Sequence, residues 1–207
     1  MRAIEVDERD SRWESGTPRY RIVLFEGPAA TVRAVDLLEA SLAEAEEAAQ
    51  DLAEGEALWS LALVVEDTSA GRGLVWLIGG DYHDHPCTPR AWRQRGEMQD
   101  RYLAARNRNG LPVTLPDGRR VIRLFPEWGV DWPLWESFTE KYTLTAADLG
   151  LSPGLAGDLH AWNARWQHRN PEDDRPTPDE WTHAGHHLHA RLQEELAAVA
   201  EVRPEFE

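Results

Sequence analysis

His83-x-His85-x-Cys87, bracketed by Asp81 and Asp84, is the set of side chains in this sequence best suited to a metal ion. In extended backbone, residues i, i+2 and i+4 point the same way. Two imidazoles and a thiolate would then face one Zn2+, with a fourth position left to an outside ligand. Pro86 interrupts the pattern, and no second His/Cys half with zinc-module spacing occurs downstream. The plainer reading is a polar loop. The chemical alternative is a metal-dependent hydrolase or lyase using His83, His85 and Cys87, with Cys87 also available as a thiolate nucleophile that lacks an identifiable base.

A second run, His183-x-x-His186-His187-x-His189, is denser in imidazole. His183 and His187 stand at i and i+4, the spacing of the zinc-protease helix, but that motif needs a glutamate after its first histidine. Ala184 stands there instead. On a helical wheel with Trp181 at 0°, His183, His186 and His187 fall at roughly 200°, 140° and 240°, away from an apolar stripe spanning roughly 340° to 60°. The reading is a solvated face whose charge depends on pH. The alternatives are a partner surface and a metal site on His183 and His187, completed by Asp173 or Asp174. No cofactor is expected, and Zn2+ is the one for which ligands exist.

Charge is unevenly distributed. The 207 residues carry 37 Asp and Glu against 22 Lys and Arg, a formal charge of −15. That excludes a general nucleic-acid binder, whose affinity rests on basic neutralisation of phosphates, and disfavours an anionic membrane surface. Between residues 90 and 109, however, Arg90, Arg93, Arg95, Arg101, Arg106 and Arg108 oppose only Glu97 and Asp100, a net of +4, which leaves −19 for the remainder. Arginine suits bidentate contacts to carboxylate or phosphate, so Arg90, Arg93 and Arg101 are candidate anion ligands. Pairing with the chain's own acidic surface is the simpler outcome. Residues 36 to 56 hold eight Asp and Glu and no basic residue. Glu46, Glu47 and Glu54 are therefore candidate contacts to a basic protein, because complementary potentials steer association.

Ten tryptophans complete the set. Each can bury about 150–250 Å2, so most are expected in the core. Trp128, Trp132 and Trp135, in a segment broken by Pro126, Gly129 and Pro133, are candidates either for a plug at a junction or for a recognition patch. Asp131 could alternatively cap a short helix through Leu134, Phe138 and Tyr142. P-loop, dinucleotide-binding, nucleophile-elbow, zinc-protease and EF-hand motifs are all absent.

The elements that must position these groups are set by capping and periodicity. Residues 1–18 read as a polar lead-in or short edge strand, and residues 21–25 as a strand turned by Gly27-Pro28. A second strand runs from Thr31 to Glu39, and a helix from Leu42 to about Ala53. That helix starts at the capping box Ser41-x-x-Glu44, is closed by Gly55, and has Leu42, Ala45, Ala49 and Leu52 inside. Strands at 57–66 and 73–80 place Trp59, Leu61, Leu63 and Val65 on one face and align Leu74, Trp76 and Ile78 on one face of the partner. Thr88-Pro89 starts a helix to Arg108. Leu111–Leu115 and Arg119–Phe125 flank Pro116-Asp117-Gly118 as a β-hairpin.

Two helices finish the chain. One runs from Ser152-Pro153 to Asn170-Pro171 over Leu155, Leu159, Trp162 and Trp166. The other starts at Thr177-Pro178-Asp179-Glu180, with Trp181, Leu188, Leu192, Leu196 and Val199 as its stripe. The expected class is α+β: a ββαββ lobe at 19–87, an Arg-rich connecting helix at 88–110, and a hairpin, Trp-rich segment and two helices at 111–207, which can pack as one compact domain with the first lobe.

Apolar runs of five residues are too short for a membrane span. One cysteine fits a reducing cytoplasm, and the first ten residues lack a signal-peptide apolar region. The expected function is a non-enzymatic, acidic interaction module of the inhibitor, immunity or accessory-subunit kind, binding a basic protein. A small anionic or aromatic ligand binder is the third reading.

Overall fold

The structure is a computed structural model that describes residues 3–11, 14, 16–67, 69–169 and 179–206. It is α+β, with two four-stranded sheets. In the first, β1 (Arg19–Glu26), β2 (Thr31–Leu38), β3 (Ala57–Asp67) and β4 (Gly71–Ile78) are ordered β2-β1-β3-β4, all antiparallel. The helix α1 (Leu42–Ala53) begins at a complete Ser41–Glu44 capping box and lies across one face. There Ala45, Ala49 and Ala53 pack on Tyr20, Ile22, Leu24, Trp59 and Leu61. Small alanines let the helix approach the sheet closely. Leu42, expected inside, is 46% exposed, because the buried stripe runs through the alanines. The helix closes at Glu54 in the left-handed conformation (φ 51°), with Gly55 one residue beyond.

The opposite face carries α2 (Pro89–Arg108), capped by Thr88, whose Met98, Tyr102 and Leu103 pack on Val23, Phe25 and Leu58. A register shift between Leu61 and Ala62 breaks the expected alignment of β4: Leu61 pairs with Ile78 but Ala62 pairs with Trp76. Ile78 therefore joins the α1 face and Trp76 the α2 face. A bulge of this kind leaves one residue unpaired and exchanges the faces of the residues beyond it. Past Ile78 the chain leaves the sheet through Gly79 (φ 70°), where a Cβ would stand 2.5 Å from Ser60 Oγ.

The second sheet contains β5 (Arg120–Leu124), β6 (Leu134–Trp135), β7 (Thr143–Leu144) and β8 (Ala200–Pro204) in the order β7-β6-β5-β8, with β8 parallel to β5. The helices α3 (Ala146–Leu149), α4 (Pro153–Gln167) and α5 (Asp179–Leu196) lie between β7 and β8 in the chain. Leu155, Leu159, Trp162, Trp181, Leu188, Leu192 and Leu196 join Ile122, Leu124, Leu134 and Val202 in one core. At its end Trp162 and Trp181 stack with centroids 4.2 Å apart. Each indole N–H donates to the other residue's carbonyl, at 3.0 and 3.1 Å.

Several expectations are corrected by this architecture. The turn at 116–118 forms, but Leu111–Leu115 is not a strand, and β5 pairs with β6 and β8 instead of closing a hairpin. No helix runs through Leu134, Phe138 and Tyr142; Leu134–Trp135 is strand and Phe138 has φ 63°. Val199 lies beyond α5 and is 53% exposed. Before β1 the described residues hold a 3-10 turn at Glu8–Asp10 capped by Asp7, and no strand. Asn170, Pro171, Asp173, Asp174, Thr177 and Pro178 lie outside the described residues.

Candidate functional site

Strand alternation sends Ala200 and Val202 of β8 into the second core, so Glu201 and Arg203 face the other way, toward α2. Both are buried, and both are paired across the lobes. Arg95 clamps Glu201 through Nε and Nη2 at 2.5 and 2.9 Å, Gln99 Nε2 donates at 2.8 Å, and Arg119 Nη2 approaches at 3.4 Å. Arg203 donates from Nη1 to the Gly96 carbonyl (3.0 Å) and to Asp100 (2.9 Å). Gly96 leaves room for that approach: a Cβ there would stand 3.0 Å from Arg203 Nη1, so the guanidinium would have to shift. Burial alone would raise the Glu201 carboxyl, but the hydrogen bond and charge of Arg95, then Gln99 and Arg119, outweigh it and hold the group ionised below its ordinary value. Nearby Tyr82 is pushed up to about 12, first by burial and then by the Glu201 charge.

This frame forms the back of a cleft of about 1140 Å3 between the loop at 81–87, the first half of α2, α5 and β8. Two histidine clusters a hundred residues apart in sequence meet here. The Trp92 ring stands edge-on to His85 (6.2 Å) and to His189 (5.5 Å). His189 Nε2 lies 2.9 Å from the Val202 carbonyl, so it carries the proton and donates. The members that meet are not those the zinc-helix spacing selects. His183 and His187 are exposed, and His186 lies against Phe206 with centroids 5.1 Å apart. On the wheel His189 falls near roughly 80°, beside the apolar stripe, which is the signal that marks it as the inward member.

His83 lies 3.3 Å from an Asp81 oxygen and edge-on to Phe25. His85 Nδ1 lies 3.1 Å from the Pro86 carbonyl, and the exposed Cys87 thiol faces the His85 carbonyl at 3.5 Å. Each of the three thus meets a separate local partner. Among the described residues no group of three or more His, Cys, Asp or Glu is arranged to hold a metal.

Burial lowers the His189 pKa below its ordinary 6.5, the Val202 hydrogen bond opposing and the charges of His186 and His85 adding. A depressed histidine contributes stability above the unfolded value and loses it as pH falls through 6.5 toward the folded one. Urea unfolding of the wild-type protein against His189→Gln, at pH ~7.5 and ~5.5, is expected to show a smaller acid loss in the variant. Equal losses would remove this role for His189.

The arginine island is only partly neutralised. Arg95 is committed to Glu201, Arg106 approaches Glu56 at 3.6 Å, and Arg101 stacks on Trp59 at 4.3 Å. Arg101 also donates to the Trp59 carbonyl at 3.2 Å, on the stretch of β3 that β4 no longer covers. Arg90, Arg93 and Arg108 are exposed and form no ion pair among the described residues, and Arg93 lines the cleft. On α1, Glu46 is half-buried and its charge acts on Arg101, whereas Glu47 and Glu54 are exposed.

The three tryptophans of the broken segment divide. Trp135 is buried, stacked on Phe125 at 4.9 Å and hydrogen-bonded to its carbonyl, so it offers no surface to a partner. Trp132 is half-buried against the core, edge-on to His160. Trp128 is exposed.

Residues 120–203, which hold most of the second sheet and its helices, match the model of the Serratia CdiI immunity protein-like family. The match runs from the start of β5 to Arg203 and takes in α3, α4 and α5; the ββαββ lobe and α2 lie outside it. No curated protein matches the chain. The similarity supports an immunity or interaction module. Trp128, Trp132, Trp135 and Glu201 fall within the matched stretch, and His83, His85, Cys87, Arg90, Arg93, Arg101 and the α1 glutamates outside it. Among the described residues no helix is long and apolar enough to cross a membrane.

Proposed function

We propose that this chain is a non-enzymatic, immunity-type protein that binds a basic protein toxin and neutralises it. The match over residues 120–203 carries the reading. The formal charge of −15 supports the sign of the partner, since complementary potentials accelerate encounter and reject partners of like charge. Glu47 and Glu54, exposed on α1, add a one-sided acidic surface beside the sheet.

The test is co-expression with a cognate basic toxin domain, one that arrests growth when expressed alone. Growth is expected to be restored, and calorimetry is expected to show binding that weakens at least about tenfold between about 0.1 M and about 1 M NaCl, as the Debye length falls from about 10 Å to about 3 Å. Toxicity that persists, with no complex at either salt, would overturn the reading.

A second reading is the holding of a small anion by Arg93, which lines the cleft and forms no ion pair among the described residues. Inorganic phosphate should then raise the melting temperature of the native protein and leave Arg93→Met unmoved; equal behaviour of the two proteins removes it.

A further inference from the structure

The surface loop at 126–132 is pinned to α4 by two side chains that have no other polar role. Asn163, 2% exposed, donates from Nδ2 to the carbonyls of Val130 (2.8 Å) and Asp131 (3.0 Å). Its own Oδ1 is buried without a partner. An orphaned buried acceptor is costly and calls for a reason. Gln167 donates to the carbonyls of Glu127 and Val130 and accepts from the Gly129 N–H at 3.0 Å, Gly129 having φ 76°.

What this scaffold holds out is Trp128. Its indole is 41% exposed and leans on Trp166, with centroids 4.4 Å apart and planes tilted by 41°. One face is backed by a second indole and the remainder meets solvent. Glu127 and Asp131, on either side of it in the same loop, are exposed and form no ion pair among the described residues. The cation–ring contacts among the described residues lie at Tyr82, Trp59, Tyr102 and Phe125 and not at Trp128, and Arg165 projects roughly 100° around α4 from Trp166. His160 is taken up by Trp132.

An exposed, backed indole in a loop that also carries two exposed carboxylates without an ion pair among the described residues has the chemistry for a cationic side chain. Tryptophan is the strongest aromatic partner for a cation, and pre-ordered tryptophan dominates interface energetics. We infer that the Trp128–Trp166 patch receives an arginine or lysine side chain of the basic partner, with Glu127 and Asp131 as its counter-charges. This rests on the immunity reading and names the surface where it acts.

The experiment titrates the same toxin domain into the wild-type chain, Trp128→Ala, and the double variant Glu127→Gln/Asp131→Asn, at about 0.1 M and about 1 M NaCl. Circular dichroism and melting serve as folding controls. Trp128→Ala is expected to weaken binding at least about tenfold, and the double variant about threefold to tenfold with a flatter salt dependence. The double variant changes only exposed groups, so the inference is testable even if Trp128→Ala folds poorly. Tight wild-type binding with both variants within twofold overturns the inference and leaves the immunity reading standing. Weakening by Trp128→Ala alone overturns the cationic occupant. No binding by the wild-type chain overturns the reading itself, and the inference with it.

Discussion

Glu201→Ala is expected to lower the stability of the folded chain by about 3–5 kcal/mol, the range for breaking a buried ion pair by removing one partner. The size is set by the groups left behind. Arg95 is 15% exposed at its side chain, with its clamp and the Gln99 bond both directed at the missing carboxylate. Glu201→Gln keeps the shape and loses the charge, so it should fall between wild type and alanine. Both can be measured by urea unfolding at neutral pH. The gap should narrow in acid: the folded carboxyl lies below its ordinary 4.5, so its contribution is present above 4.5 and lost as pH falls through the folded value. A difference under about 1 kcal/mol at neutral pH would mean that Arg95 finds another counter-charge.

Gly185→Ala in the middle of α5 sets two effects of opposite sign against each other. Replacing a helical glycine by alanine ordinarily stabilises by about 1 kcal/mol. Here the new methyl would stand 2.7 Å from Phe206 Cε2 and 2.9 Å from Trp162 Cζ2, well inside the carbon–carbon optimum of about 3.5–4.0 Å. Those rings are locked. Trp162 is stacked on Trp181, the pair is bonded reciprocally to backbone, and Phe206 stands edge-on to both. Overpacking costs about 1–3 kcal/mol and should win over the gain of about 1 kcal/mol, for a net loss of up to about 2 kcal/mol and a changed near-ultraviolet circular dichroism signal from the stacked indoles. A melting temperature at or above that of wild type would show that Phe206 can move aside.

The elements legible in the sequence are those fixed by local chemistry. Ser41–Glu44 and Thr88-Pro89 state where α1 and α2 begin, and both begin there. Alternation in β1 and β3 gives the first sheet, because short connections leave little choice of neighbour. The second sheet was not legible. Its strand β8 has the sequence Ala-Glu-Val-Arg-Pro and pairs in parallel with β5, eighty residues away. A strand that puts a glutamate and an arginine into the interior looks like a polar tail until its partners are known. The bulge at Leu61/Ala62 was hidden for a related reason, since only the pairing shows that Trp76 and Ile78 lie on opposite faces.

The candidate sites divide along the same line. Composition alone establishes the −15 charge, and spacing alone the two histidine clusters, the arginine island and the broken tryptophan segment. The helical wheel already turns His183 and His187 to solvent. Only the folded chain decides that His85 and His189 meet across Trp92, that Arg95 is consumed and Arg93 is not, and that Trp135 is core while Trp128 is surface. The physical reason is desolvation. Whether a charged or polar side chain can leave water depends on a partner that meets its hydrogen bonds and charge. Glu201 and Arg95 are 106 residues apart, so burial at this junction is a property of the pair, which exists only in the tertiary structure.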